Sequence, residues 1–347
     1  MAGPGRVINW GNAAIDFTGG RGFRCEQVTV EGTHTHGQPL RREANFQNGI
    51  FVTNHPVFGT ADDVTIRNCD FSGMAQGILR EAQPIPTPAG PFVVEDCLFH
   101  DIPGQHGIYN QDGNARIRDC HFRDLALSAV KNQSADSGRM LRNISASGIT
   151  AERIGNALFE LAEIGGHGGG IDTVTLQGTG TGVGYLAAVR GRIRNAVITV
   201  KGTGITGNAI YAAGQGMRNV AITVDAGEIG QDGVLITAED SDLQVSAKIR
   251  NANSQRRYGG AAVRVTSRSA SVLLTDPVLT DTSRRTTYGL FNEVAGATVR
   301  VRGSIQATGA GEYAVRANGA IAEFPTRTNL QGRNGRFLGI EKIRGAH

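Results

Sequence analysis

The chain is short of the residues that fill a core with a few large side chains: one Trp, four Met and only 6% aromatics among 347 residues. In their place stand 49 Gly among frequent Val, Ile, Thr, Asn and Asp. That mixture suits many short strands joined by tight turns. No apolar run reaches about 18 residues, which excludes a membrane-spanning helix. The opening "MAGPGRVINWGNAAIDF" has neither a basic n-region nor an apolar h-region, so it does not read as a signal peptide. The net charge is +4 and the Arg residues are scattered, so no nucleic-acid footprint is expected. The four Cys show no staggered framework for disulfides. Neither C-x-x-C nor paired His spacing offers a zinc site, and no metal ligand is assigned.

Length alone suggests about two domains, but an internal repeat overrides that prior, because solenoids grow in one dimension without splitting. A small-apolar-X template recurs as "GIFVTN", "GILREA", "GIYNQD", "AVKNQS", "ALFELA", "YLAAVR", "AIYAAG", "VLITAE", "AVRVTS", "GLFNEV" and "AVRANG". Its third letter falls at Phe51, Leu79, Tyr109, Lys131, Phe159, Leu186 or Ala187, Tyr211, Leu235, Arg264, Phe291 and Arg316, in steps of 22 to 30 residues. The second letter is aliphatic throughout and points inward; the third therefore points out.

A second pattern precedes each template: "RNCDF", "EDCLF", "RDCHF", "RNISA", "RNAVI", "RNVAI". Cys69, Cys97 and Cys120 share one column, continued by Ile144, Ala196 and Val220. Phe71, Phe99 and Phe122 share another, continued by Ala146, Ile198 and Ile222. Period-2 alternation puts both columns in the interior, where free Cys behaves as a small hydrophobe. Cys25 lies outside the column. Asn68, Asp96, Asp119, Asn143, Asn195 and Asn219 form a polar column whose short side chains suit turns with unusual dihedrals.

Like residues stacking on like, coil after coil, predict an all-β, single-stranded right-handed parallel β-helix of about eleven coils over 1–320, with 321–347 as a C-terminal capping or tail segment. A leucine-rich repeat array is rejected because no helical segment recurs in each coil. The stacked aliphatic, aromatic and asparagine columns resemble the pectin-lyase-like β-helix superfamily. That resemblance implies a protein that binds or cleaves polysaccharides on its lateral face.

A packed solenoid interior leaves outward faces and loops for function. The outward stripe of apolar and aromatic residues punctuated by cations is read either as a sugar-binding groove or as a subunit interface, or as a surface covered by a flanking loop. With adjacent coils about 4.8 Å apart, Tyr109 and Lys131 are expected side by side. Arg80, Glu81, His106, Gln133, Glu160 and Glu163 are expected on the same patch, with Phe159 and Tyr211 further along the stripe. β-Elimination from a uronic-acid polymer would use Lys131 as base, His106 or Tyr109 to protonate the leaving oxygen and Arg80 to neutralise the carboxylate. This looks like the Lys/Arg arrangement of chondroitinase B-like lyases. Glu81, Gln133, Glu160, Glu163, Phe159 and Tyr211 would bind substrate. Hydrolysis needs two carboxyl groups about 5–9.5 Å apart. The available pairs are Glu160 with Glu163, Asp112 with Asp136, and Asp62 with Asp63. The polygalacturonase-type motifs are absent save the fragment "GQHG". "AEDSD" and "NQDG" are candidate Ca²⁺ spots but read more readily as polar turns, and "GGHGGG" as a sharp backbone turn.

The expected role is recognition and cleavage of an acidic polysaccharide by a lyase, with a C5-epimerase and a hydrolase as enzymatic alternatives. The non-enzymatic alternative is a trimeric, tailspike-like or adhesin-like glycan-binding protein. Either belongs outside the cell or on a virion, with a polysaccharide as partner and no nucleic acid.

Overall fold

The computed structural model describes residues 4–8, 12–34, 47–82, 90–134, 139–163, 169–253 and 260–344. Strand makes up 68% of it and helix 1%, and parallel pairing winds the chain into a β-solenoid of about 11 turns. Two compact units divide at Thr179 and Gly180.

In the first unit the template strands pair in register from Ile15 to Ile50, Ile78, Ile108, Val130 and Phe159. These side chains are buried. Phe71, Phe99 and Phe122 stack with ring centroids 4.8 Å apart and planes within 7°. The small first letter of the template now has a cause. A Cβ at Gly49, Gly77 or Gly107 would stand 2.9, 2.7 or 2.5 Å from the Phe71, Phe99 or Phe122 ring, respectively. Each ring therefore needs a glycine beside it.

The polar column forms for Asn68, Asp96 and Asp119, and again for Asn195 and Asn219, whereas Asn143 leaves it and donates to Asn114; all six residues have φ between 49 and 57°. Asn and Asp tolerate this left-handed region best among residues other than Gly.

Two expectations about columns need correction. Arg142–Ala146 does not continue the Cys and Phe columns. Ile144 pairs with Ala115 and Ala146 with Ile117, whereas Phe122 is followed by Ala151. Cys25 lies outside the Cys column as expected, in register with Ile66, with its Sγ 3.8 Å from Cys69 Sγ, and all four Cys are buried free thiols. The Cys69 thiol and burial together push the Cys25 pKa up.

In the second unit Ala187, Ile210, Val234, Val263, Leu290, Val315 and Phe337 are in register. The segment after residue 320 carries three more paired strands, Ala320–Glu323, Arg327–Gly332 and Gly335–Leu338. Strand pairing therefore continues into the segment expected to cap the solenoid, and among the described residues a 3-10 turn at Ile340–Lys342 follows.

Candidate functional site

The lateral stripe of the first unit forms as the repeat requires. Phe51 pairs with Leu79, Leu79 with Tyr109 and Tyr109 with Lys131. All four are half-buried on the outward side. Lys131 Nζ lies 5.0 Å from the centroid of the Tyr109 ring, within cation–π range.

One coil on, the register slips by one residue from the expected frame. Val130 pairs with Phe159 and Lys131 with Glu160. Phe159 is therefore an interior residue, 1% exposed, and cannot stack on a ligand. Glu160 takes its place beside Lys131, with Oε1 3.8 Å from Nζ and the carboxylate side chain only 5% exposed. Two donors hold the other oxygen: Ser128 Oγ donates to Oε2 at 2.6 Å and Asn156 Nδ2 at 2.9 Å. Asn156 Nδ2 also reaches Ser128 Oγ at 2.9 Å.

His106 joins from the coil before. Its ring meets Tyr109 edge-on at 5.3 Å, and its Nδ1 accepts the Ser128 backbone N–H at 3.1 Å. Burial, reinforced by the Lys131 charge, pushes the His106 pKa down to about 4, so the ring is neutral at pH 7. With Nδ1 accepting, the ring proton sits on Nε2. Burial likewise raises the Tyr109 pKa and keeps it a phenol.

His106, Tyr109, Lys131 and Glu160 thus come together, joined by Ser128 and Asn156. Gln133 shares the outward side of Val130–Ser134 but is largely covered. Glu81 ends the strand Gln76–Glu81, in register with Thr53. Glu163 pairs with Ser134 at the end of its strand. Arg80 does not belong to the patch. Leu79 points out, so Arg80 points in, where it is 2% exposed. It donates to Gly113 O at 2.6 Å and Gly90 O at 3.0 Å, and lies 4.9 Å from the Phe92 ring centroid. Burial pushes its pKa down to about 10, which still leaves it charged at pH 7. It ties turns together from inside and cannot reach a substrate carboxylate.

Next to Arg80, Asn110 and Asn132 are fully buried, and Asn110 Nδ2 donates to Asn132 Oδ1 at 2.9 Å. Tyr211 lies in the second unit, 6.1 Å from Tyr185 and 5.6 Å from the Arg190 guanidinium. Its column continues through Leu235, Arg264, Phe291 and Arg316. There Arg264 pairs with Glu293 at 2.7 Å and Asp232 at 3.8 Å.

The remaining candidates are engaged in turns. Asp62 accepts from Thr60 and the Gly90 N–H; Asp63 pairs with Arg24. Asp112 accepts the Gly113 N–H and the Asn54 amide. Glu239 of "AEDSD" accepts from Ser267, Ser269 and the Arg268 N–H. Asp136 and most of "GGHGGG" lie outside the described residues.

Ser128 and Asn156 were missed by sequence reasoning as members of the cluster. The available signal was position: Ser128 stands two residues before inward Val130, as His106 stands two before inward Ile108. No family model and no curated protein matches the chain.

Proposed function

We propose that this protein binds a uronic-acid-containing polysaccharide on the lateral face of its first unit and cleaves it by β-elimination. The observation that carries the reading is the in-register pair of Tyr109 and Lys131 at the end of the apolar stripe from Phe51 through Leu79. A half-buried ring beside an ammonium suits a pyranose carrying a carboxylate: the ring takes the C–H face and the cation takes the anion. The Lys131–Glu160 pair beside a His106 held neutral by burial supports chemistry there as well as binding, because perturbed groups such as that histidine concentrate at functional sites. Such a protein would meet its polymer outside the cell or on a virion.

The ion pair also favours a second reading, binding without cleavage, since Lys131 is engaged with a carboxylate before any ligand arrives. Incubation with a panel of acidic polysaccharides separates the two. Ultraviolet absorbance from an unsaturated uronate supports the lyase. New reducing ends without that absorbance replace it with a hydrolase, and binding without either leaves a lectin-like protein.

A further inference from the structure

The cluster around Lys131 contains a group better suited than the lysine to take a proton. Resting on the β-elimination reading, we propose that Glu160 is the base that removes the C5 proton of a bound uronate, while Lys131 holds the uronate carboxylate. The neighbouring groups lack the means. His106 uses its Nδ1 lone pair on the Ser128 N–H, so Nε2 carries a proton and the ring can only donate. Tyr109 is a phenol. Lys131 is paired with the Glu160 carboxylate at 3.8 Å, the role of a cation that binds an anion.

Glu160 has the right construction. Ser128 and Asn156 converge on Oε2, and Oε1 faces Lys131 on the outward side.

In the proposed step the incoming uronate carboxylate competes with Glu160 for the Lys131 ammonium. Glu160 Oε1 takes the C5 proton, and the C5–H electron pair becomes the C4–C5 π bond as the C4–O bond breaks. The leaving oxygen takes the Tyr109 phenolic proton, and the phenolate is reprotonated by solvent as Glu160 releases its proton. The products are an unsaturated uronate and a free sugar hydroxyl, with nothing oxidised or reduced.

Glu160→Gln tests this, with cleavage followed by ultraviolet absorbance and affinity for an oligouronate by calorimetry. Cleavage is expected to fall by about 10²–10⁴-fold, with affinity unchanged or tighter because Lys131 has lost its competitor. Lys131→Met is expected to weaken affinity and raise KM more than it lowers kcat. A Glu160→Gln protein that cleaves at the wild-type rate overturns the Glu160 assignment and leaves the lyase reading standing. A Lys131→Met protein that loses kcat at unchanged affinity returns the base role to the lysine. Wild-type protein that produces no unsaturated uronate from any member of the panel removes both readings.

Discussion

Replacing Phe99 by Ala should be among the most damaging single changes in the first unit. The ring is fully buried and sandwiched between Phe71 and Phe122, each 4.8 Å away and nearly parallel. Removing a buried Phe side chain costs about 3–5 kcal/mol in lost transfer energy and cavity. Stacking contributes a further ~0.5–1.5 kcal/mol for each aromatic partner, and Phe99 has two. Among the described residues Phe122 stacks on Phe99 alone, because the next coil offers Ala151. Phe99→Ala is therefore expected to exceed Phe122→Ala by about 0.5–1.5 kcal/mol, the one stacking contact by which they differ. The cavity cannot be refilled from Gly77, since a Cβ there would stand 2.4 Å from Gly107 O. Equilibrium urea unfolding followed by far-ultraviolet circular dichroism measures both variants through the shift in midpoint at constant slope. A Phe99→Ala loss below about 1 kcal/mol, far under the range for a buried ring, would refute the reasoning. So would a larger loss for Phe122→Ala.

Other outcomes follow from particular contacts. His106 has a folded pKa of about 4 against 6.5 for an ordinary histidine, so between those values the unfolded chain binds the extra proton. Its contribution should be intact above pH 6.5 and lost as pH falls toward 4, by about 3 kcal/mol in all. Wild type and His106→Gln should therefore differ in the pH dependence of their urea midpoints within that window and run parallel above it. Asp119, at φ 49°, should tolerate Gly nearly without loss, while Ala costs about 1–2 kcal/mol through left-handed backbone strain. Thermal unfolding of the two variants reads the difference. Arg80→Met should lower stability by about 3–5 kcal/mol by breaking a buried charge network. Its remaining folded protein should bind an oligouronate with wild-type affinity; a selective loss of binding would put Arg80 back at the site.

The repeat was legible because a solenoid writes one environment many times. Each inward aliphatic meets the same neighbours as the one before, so Ile50, Ile78, Ile108 and Val130 declare one another. Glycine before the aliphatic and Phe later in the coil are two halves of one packing solution, and they recur together. What the pattern does not carry is the frame across a coil of different construction. Between Val130 and Phe159 the small position is filled by Leu158, itself fully buried, and the run from Ala157 to Leu161 is buried throughout. "ALF" then matches the template as well as "LFE" does, and only pairing across the coils decides between them. A different and larger displacement moved Ile144 and Ala146, which face Ala115 and Ile117 and not Cys120 and Phe122.

The site followed the same logic, which explains both what was visible and what was not. Tyr109 and Lys131 are neighbours because their inward companions, Ile108 and Val130, are in register, and that inference uses nothing but period and alternation. Alternation also argues against Arg80: one residue after an outward Leu79 it must face inward, and its guanidinium there serves the Gly90 and Gly113 carbonyls. The Glu160 carboxylate is a different kind of information. Its contact with Lys131 depends on the shifted frame, and its contacts with Ser128 and Asn156 depend on turn geometry that no strand period specifies. An outward stripe can be read from a repeat. The Lys131–Glu160 contact on that stripe depends on a coil that departs from the repeat, because a repeating ladder stacks like groups, whereas an ion pair requires unlike groups in contact.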